Sequence, residues 1–217
     1  MFGIRKLDLL LSVYIFCIAV SELMGAKTFP IAKLGTFQLN ASVAIFVVPI
    51  IFTINDIITE VFGIQRARSL VRSGIFVVFL FLLTSLFFTH LPPSMRFKAT
   101  ESAYEKIFEV SARISAASLT AFAVAEFLDI LIFFKIRKKM GKKKLWLRTN
   151  VSNFISEFAD SAIFISLAFY ALDRSFGDNF SFLTGLIIPY WLLKCVMSII
   201  ETPFVYLGAN WLKSEKE

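Results

Sequence analysis

Six times along this chain a run of about twenty mainly apolar residues recurs, at Leu7–Gly25, Ala41–Phe62, Leu70–His90, Ile114–Lys135, Val151–Ala171 and Leu183–Leu207. About twenty residues rising ~1.5 Å each is the length a helix needs to cross roughly 30 Å of hydrocarbon. Only helices and closed barrels satisfy every backbone N–H and C=O in lipid, and these runs lack the alternation of barrel strands. The spacing therefore predicts an all-α integral membrane fold of six transmembrane helices, one transmembrane domain over residues 1–217. Composition agrees. Of the 217 residues 57% are hydrophobic and 26 are Phe, more apolar surface than a single water-surrounded core of this length needs, so a lipid bilayer is the expected partner.

The placement of Lys and Arg predicts the orientation. With a cytosolic N-terminus, the inner segments hold Arg5, Lys6, Arg66, Arg68, Arg72, the eight basic residues from Lys135 to Arg148, Lys213 and Lys216, fifteen of the 23. Seven lie on the other side, and Lys194 sits within a span. The positive-inside rule then puts both termini in the cytosol. The run Lys135–Arg148 lies between two spans and carries Trp146, the pattern of an interfacial loop, so no nucleic-acid partner is expected. Arg5 and Lys6 ahead of an apolar stretch imitate an export signal, but Glu22 near the end of that stretch and five further spans favour an uncleaved first helix. Cys17 and Cys195 both fall inside spans, where a structural disulfide is not expected. Between the third and fourth spans, Pro92–Ala112 is too polar to cross. Ser102 with Glu105 three residues on, and Tyr104, Ile107, Phe108 and Ser111 at helical spacing, predict a capped helix lying on the outer surface.

Acid inside the spans is the sharper signal. Glu22, Asp56, Glu60, Glu126, Asp129, Glu157, Asp160 and Glu201, half of the 16 acidic residues, fall in predicted helices, with Lys194 the one clear intramembrane base. A carboxylate at mid-bilayer costs roughly 2.5–3.5 kcal/mol on insertion scales, so such a set persists only if it faces a polar cavity or carries its protons. Residues 126–133 and 157–164 share the pattern E-F-x-D-x-x-I-F, which places each acid pair at i and i+3 on one helix face. Counted from Lys135 and from Thr149, Glu126 and Glu157 both lie about 12–14 Å from the cytosolic end at ~1.5 Å per residue. Helices four and five can thus bring four carboxyl groups to one depth, much as repeats meet at a midplane site in transporters. Asp56 and Glu60 add an i, i+4 pair in helix two, although Glu60 is also readable as a boundary residue paired with Arg66 or Arg68. Asn55 and Asn153 offer amide groups, Lys194 a counter-charge, and Glu201 stands two residues before Pro203, which is expected to kink the last span. The candidate substrate-binding set is Asp56, Glu126, Asp129, Asn153, Glu157, Asp160, Lys194 and Glu201.

Enzymatic readings find little support. The one histidine, His90, stands at the outer end of the third span, no motif accompanies a Ser–Lys dyad on Lys194, and no catalytic residue, metal or cofactor is expected. No P-loop occurs, so any ATP dependence has to come from a partner. Two transport readings stay open. One is a self-sufficient transporter; the other is a substrate-binding membrane subunit energised by a separate ATPase and serving another small nucleobase or vitamin. A homo-oligomer fits either.

The string Asn55-Asp56-Ile57-Ile58-Thr59-Glu60-Val61-Phe62-Gly63, the segment from Glu126 to Phe133, Leu145–Asn150 leading into Ser156–Phe164, and Lys194 followed by Glu201-Thr202-Pro203-Phe204 together resemble the queuosine precursor transporter family. The resemblance runs in order over nearly the whole chain. It implies a six-helix protein of the bacterial inner membrane that imports 7-deazaguanine bases or queuine for salvage into transfer-RNA modification. Glu126 and Glu157 stand where the family usually has an amide, and their added negative charge would favour the cationic aminomethyl base or queuine over the neutral cyano base. The chemistry of such a base suits this site. Its ring and exocyclic N–H groups can be accepted together by a carboxylate, while an amide or Lys donates to its carbonyl. On that basis Asp129 and Asp160 are the expected base-recognising acceptors. Phe127, Phe133, Phe158 and Phe164 lie on the same two helices and can cover a flat ring.

Overall fold

In the computed structural model the described residues are 4–35, 37–140, 145–200 and 202–214; inside the helices and strands, the side chains at 34, 37, 126, 129, 130, 133, 134, 136–140, 145–153, 197–199 and 202 also lie outside the description. The chain begins with α1 (Lys6–Met24), turns into a two-stranded hairpin of β1 (Thr28–Leu34) and β2 (Phe37–Ser42), and passes through a short 3-10 helix (Val43–Phe46). Helices α2 (Val48–Phe62), α3 (Ile64–Thr89), α4 (Glu101–Met140), α5 (Leu145–Phe169), α6 (Phe176–Ile200) and α7 (Thr202–Lys213) follow. Among the described residues, five helical segments are long and apolar enough to cross a membrane: Lys6–Met24, Val43–Phe62, Ile64–Thr89, Glu101–Ala125 and Phe176–Val196. Helix α5 matches α6 in length at 25 residues and packs against both α4 and α6.

The helices outrun the apolar windows. Helix α4 is one uninterrupted rod of 40 residues. It has neither Gly nor Pro from Glu101 to Met140 and is rich in Ala, Leu, Glu, Lys and Arg, all strong helix formers. The separate surface helix expected at 102–111 is therefore corrected: these residues are the first turns of α4, with Ser111 and Ala112 buried in the bundle. The loop expected across Lys135–Arg148 shrinks likewise, since α4 continues to Met140 and α5 starts at Leu145. The last expected span, Leu183–Leu207, falls on α6, described to Ile200, and on α7, described from Thr202; Glu201 between them, and with it the kink expected beside Pro203, lies outside the described residues.

The fold is helical as expected, with one added element. Thr28–Leu34 and Phe37–Ser42, expected as outer loop up to Asn40 and as the start of the second span at Ala41 and Ser42, form an antiparallel hairpin whose register slips between Pro30 and Ala32. Its turn uses Gly35 at φ 62, a left-handed conformation that glycine adopts without strain. Ser42 fastens the hairpin to the bundle: its hydroxyl donates to the Gly25 carbonyl (2.5 Å) and accepts from the Ala44 N–H (3.2 Å). Strand β2 lies on α6. The contact is close because position 185 is glycine, where a Cβ would stand 2.4 Å from the Gln38 carbonyl oxygen.

Polar ties concentrate at helix ends. Arg113 on α4 donates from Nε to the Leu167 carbonyl (2.7 Å) and from Nη2 to the Tyr170 carbonyl (2.6 Å), satisfying the open C-terminus of α5. Buried Asn179 brackets the turn into α6, accepting from the Ala171 N–H (2.9 Å) and donating to the Ala171 carbonyl (2.8 Å). Lys6 donates to the Trp211 carbonyl (2.8 Å) and the Ser214 hydroxyl (2.6 Å), which brings the start of α1 and the end of α7 to the same end of the bundle. Hydroxyls along the spans bond back to the preceding turn, as Thr53 does to the Pro49 carbonyl (2.9 Å) and Thr84 to the Leu80 carbonyl (2.8 Å). The main packed core joins α1, α2, α3 and α7 through Tyr14, Ile18, Ile54, Ile57, Ile58, Leu70 and Leu212; Phe76, Phe79, Leu83 and Phe87 of α3 face outward, as lipid-facing residues do.

Gly185→Val tests the seating of β2 on α6. Overpacking of this kind costs about 1–3 kcal/mol, so the variant is expected to melt at a lower temperature than wild type in detergent, while Ile188→Val, on the exposed side of the same helix, leaves the melt unchanged.

Candidate functional site

Between the helices lies a cavity of about 260 Å³, near the lower end of the ~300–1,000 Å³ typical of small-molecule sites. Every helix from α1 to α6 contributes to its wall, and the segment joining the hairpin to α2 closes one part of it through Ser42 and Ala44. Most of the lining is apolar or aromatic, including Tyr14, Phe52, Phe122, Phe164 and Tyr190. Its polar groups fall into two sets.

One set is built on Lys194. This side chain is only 8% exposed, and its ammonium contacts Asp160 Oδ2 at 2.5 Å and Glu157 Oε2 at 2.9 Å. The i, i+3 spacing of Glu157 and Asp160 puts both carboxylates on the face of α5 that meets α6, so one cation on α6 holds two anions on α5. Two carboxylates against one ammonium leave the ion triad formally at −1. Asp160 and Lys194 line the cavity, and the Tyr190 ring centroid lies 6.0 Å from the ammonium, within cation–π range. Trp191, next in sequence, braces the opposite side of the α5–α6 contact. Its indole packs edge-on against Phe154 and Phe158 at 4.6 and 5.3 Å between centroids.

The other set is built on Glu22 of α1. This carboxyl group is 5% exposed. Ser115 of α4 donates to its Oε2 at 2.8 Å and Ser118 to its Oε1 at 3.1 Å. Asn55 of α2 also lines the cavity, with an Oδ1 that is buried and has no hydrogen-bond partner among the described residues.

The structure thus brings together three of the expected residues, Glu157, Asp160 and Lys194. Asp56 does not join them: it is on the exposed side of α2 and outside the cavity lining, whereas its neighbour Asn55 faces in. Glu60 sits at the end of α2 beside Lys213 (3.8 Å), not beside Arg66 or Arg68. Glu126 and Asp129 follow Phe122 by one and two turns along α4, but their side chains, like that of Asn153, lie outside the described residues, as does Glu201 altogether. Phe127 and Phe158 are exposed, and of the aromatics expected to cover a ring Phe164 lines the cavity. Glu22 was legible as an intramembrane acid but not as part of the site. The signal that points to it is the polar row Ser111, Ser115, Ser118 at i, i+4, i+7 on α4, a hydroxyl face that a buried acid on α1 can use. Among the described residues, no group of three or more His, Cys, Asp or Glu is placed to hold a metal ion.

Residues 42–208 match the family model described as "putative vitamin uptake transporter". A relative from Bacillus subtilis, named "Probable queuosine precursor transporter", is 27% identical over 184 residues, covering 83% of this chain and 76% of its own. One of the same name from Haemophilus influenzae is 28% identical over 164 residues, covering 72% and 67%. The "Queuosine precursor transporter" of Escherichia coli is 23% identical over 134 residues, covering 60% and 56%. No solved structure matches the chain.

Removing one partner of a buried ion pair costs about 3–5 kcal/mol, and the partial exposure of Glu157, 42%, puts the expected loss for Lys194→Met at the lower end of that range. The triple variant Lys194→Met, Asp160→Asn, Glu157→Gln leaves no charge stranded. It is expected to recover most of the loss in detergent unfolding, and equal melts for the single and triple variants would show that the triad does not hold α5 to α6.

Proposed function

Since the chain belongs to the vitamin uptake transporter family, whose members are transporters and not enzymes, we propose that this multi-pass membrane protein imports queuosine precursors, 7-deazaguanine bases or queuine, for salvage. The relatives' names supply the substrate class. The observation that carries the reading is the cavity inside the bundle, small, aromatic and provided with fixed charge at Lys194 and Asp160. A flat base with N–H donors beside a carbonyl is matched by aromatic faces and a few polar groups of both kinds. In this reading α5 is the sixth span, residues 1–217 form one transmembrane domain in the bacterial inner membrane, and both termini face the cytosol. The contact of Lys6 with the end of α7 supports placing both ends on one side.

Charge sets the preference among the precursors. The triad carries one negative charge in excess, and at an effective dielectric near 20 a unit pair at 4 Å is worth about 4 kcal/mol. Desolvation of the amine removes much of this, leaving a net preference of about 1–2 kcal/mol, or roughly five- to thirty-fold, for a cationic base.

Uptake of labelled cyano base, aminomethyl base and queuine by cells lacking their own importer tests both points. Asp160→Asn is expected to lower uptake tenfold or more at unchanged membrane abundance, and Glu157→Gln to erase the preference for the aminomethyl base. Equal competition by charged and neutral bases in wild type would refute the charge argument. The same assay in liposomes separates a self-sufficient carrier from one that borrows energy from an ATPase. For orientation, Ala103→Cys, exposed near the start of α4, is expected to react with an impermeant thiol reagent in intact cells; labelling only after permeabilisation would invert the topology.

A further inference from the structure

The carboxylates of the ion triad are engaged by a cation. Lys194 contacts one oxygen of Asp160 and one of Glu157, which commits both carboxylates to neutralising a cation. Glu22 is placed differently. Among the described residues no Lys, Arg or His lies within ion-pair distance of it, and its two protein donors are neutral hydroxyls, one on each oxygen. Each carboxylate oxygen accepts about two hydrogen bonds, so Ser115 and Ser118 anchor the group and leave one acceptor position open on each oxygen. That arrangement matches two adjacent N–H donors, as in a bidentate fork. Asn55, whose amide is hydrogen-bonded with the Tyr14 hydroxyl, lines the same cavity, and its Oδ1 is buried with no hydrogen-bond partner among the described residues. Such an atom costs stability unless something donates to it.

We propose that Glu22, held by Ser115 and Ser118, is the carboxylate that reads the donor edge of the base, the ring N–H together with the exocyclic amine, with Asn55 accepting a further N–H. This assignment rests on the reading of the chain as a deazaguanine importer. It gives the cavity two poles: α1, α2 and α4 recognise the invariant guanine-like edge, while the Lys194 triad on α5 and α6 meets the carbonyl or the variable substituent. Specificity for a 2-amino base over one without that amine follows, since the missing donor leaves a buried acceptor unpaired.

The test is binding of labelled cyano-deazaguanine, and of its analogue lacking the exocyclic amine, to the purified protein in lipid nanodiscs, paired with liposome uptake under a pH gradient. Wild type is expected to bind the parent base at least tenfold more tightly than the analogue. Glu22→Gln replaces one acceptor by a donor, so it is expected to weaken the parent tenfold or more and the analogue by less than threefold. Ser118→Ala, which keeps the carboxylate and removes one of its anchors, is expected to fall between. Wild type that binds parent and analogue equally overturns the proposal without recourse to any variant. So does a Glu22→Gln protein that binds and discriminates normally, or one that binds normally and loses only its response to the pH gradient, which would make Glu22 a proton carrier. Failure of wild type to bind any deazaguanine base, while folded, overturns the substrate reading and this assignment together.

Discussion

An ammonium group inside a bilayer must have its charge met on the spot, and here two carboxylates from one face of α5 meet the single ammonium that α6 brings. Neither helix can rotate or slide by a turn without stranding charge in an apolar medium. In lipid there is no hydrophobic force between helices to set such a register, because acyl chains solvate Leu and Phe as well as a neighbouring helix does. The register of α5 against α6 therefore depends on electrostatics, with Trp191 and its two Phe neighbours filling the space behind the pair. The remaining helices rely on close approach at small residues. Gly74 lies against Tyr14 and Ile18, and Gly208 against Ile57, where a Cβ would stand within 3 Å of the opposing side chain.

The same economy governs the polar backbone. Helix ends that protrude from the apolar layer are closed by side chains from other helices: Arg113 caps α5, Lys6 caps α7, and Asn179 holds the turn before α6. Each of these ties joins segments distant in sequence or folds a turn back on itself. Arg113 works from an exposed position and Asn179 from a buried one, and the cavity wall is left to Glu22, Asn55 and the Lys194–Asp160 pair. The cavity wall is mainly apolar and aromatic, with charge at Glu22, Asp160 and Lys194, the distribution typical of small-molecule sites.

Hydrophobic length made membrane-spanning helices legible from sequence, because lipid imposes it directly, and five such segments stand among the described residues. The repeat of acids on the fourth and fifth helices likewise led to Glu157 and Asp160, and the one intramembrane base led to Lys194. Other features depend on packing and local context. Asp56 and Asn55 are adjacent, and a helix that shows one to the cavity turns the other away; without the packing of α2 on α1 and α3, sequence cannot say which. Glu22 gained its place from two hydroxyls about 95 residues further on, a pairing set by the α1–α4 crossing. The hairpin was hidden because its strands are short and mainly apolar, and they read as loop between two spans. Helix ends were missed where Lys- and Arg-rich sequence continues a helix into water, since hydropathy marks where lipid ends and not where the helix does.

Helix α6 contains Pro189, which has no N–H to give to the carbonyl of Gly185 one turn earlier. That carbonyl belongs to the residue on which β2 rests, while Lys194 lies five residues beyond the proline. The rod is thus weakest between its two duties. Its first half serves as the bed of the hairpin, its second half as the mount of the buried cation, and bending at the missing bond costs less than bending elsewhere along the helix. A push on the hairpin is therefore delivered to a lever whose far arm carries the charge.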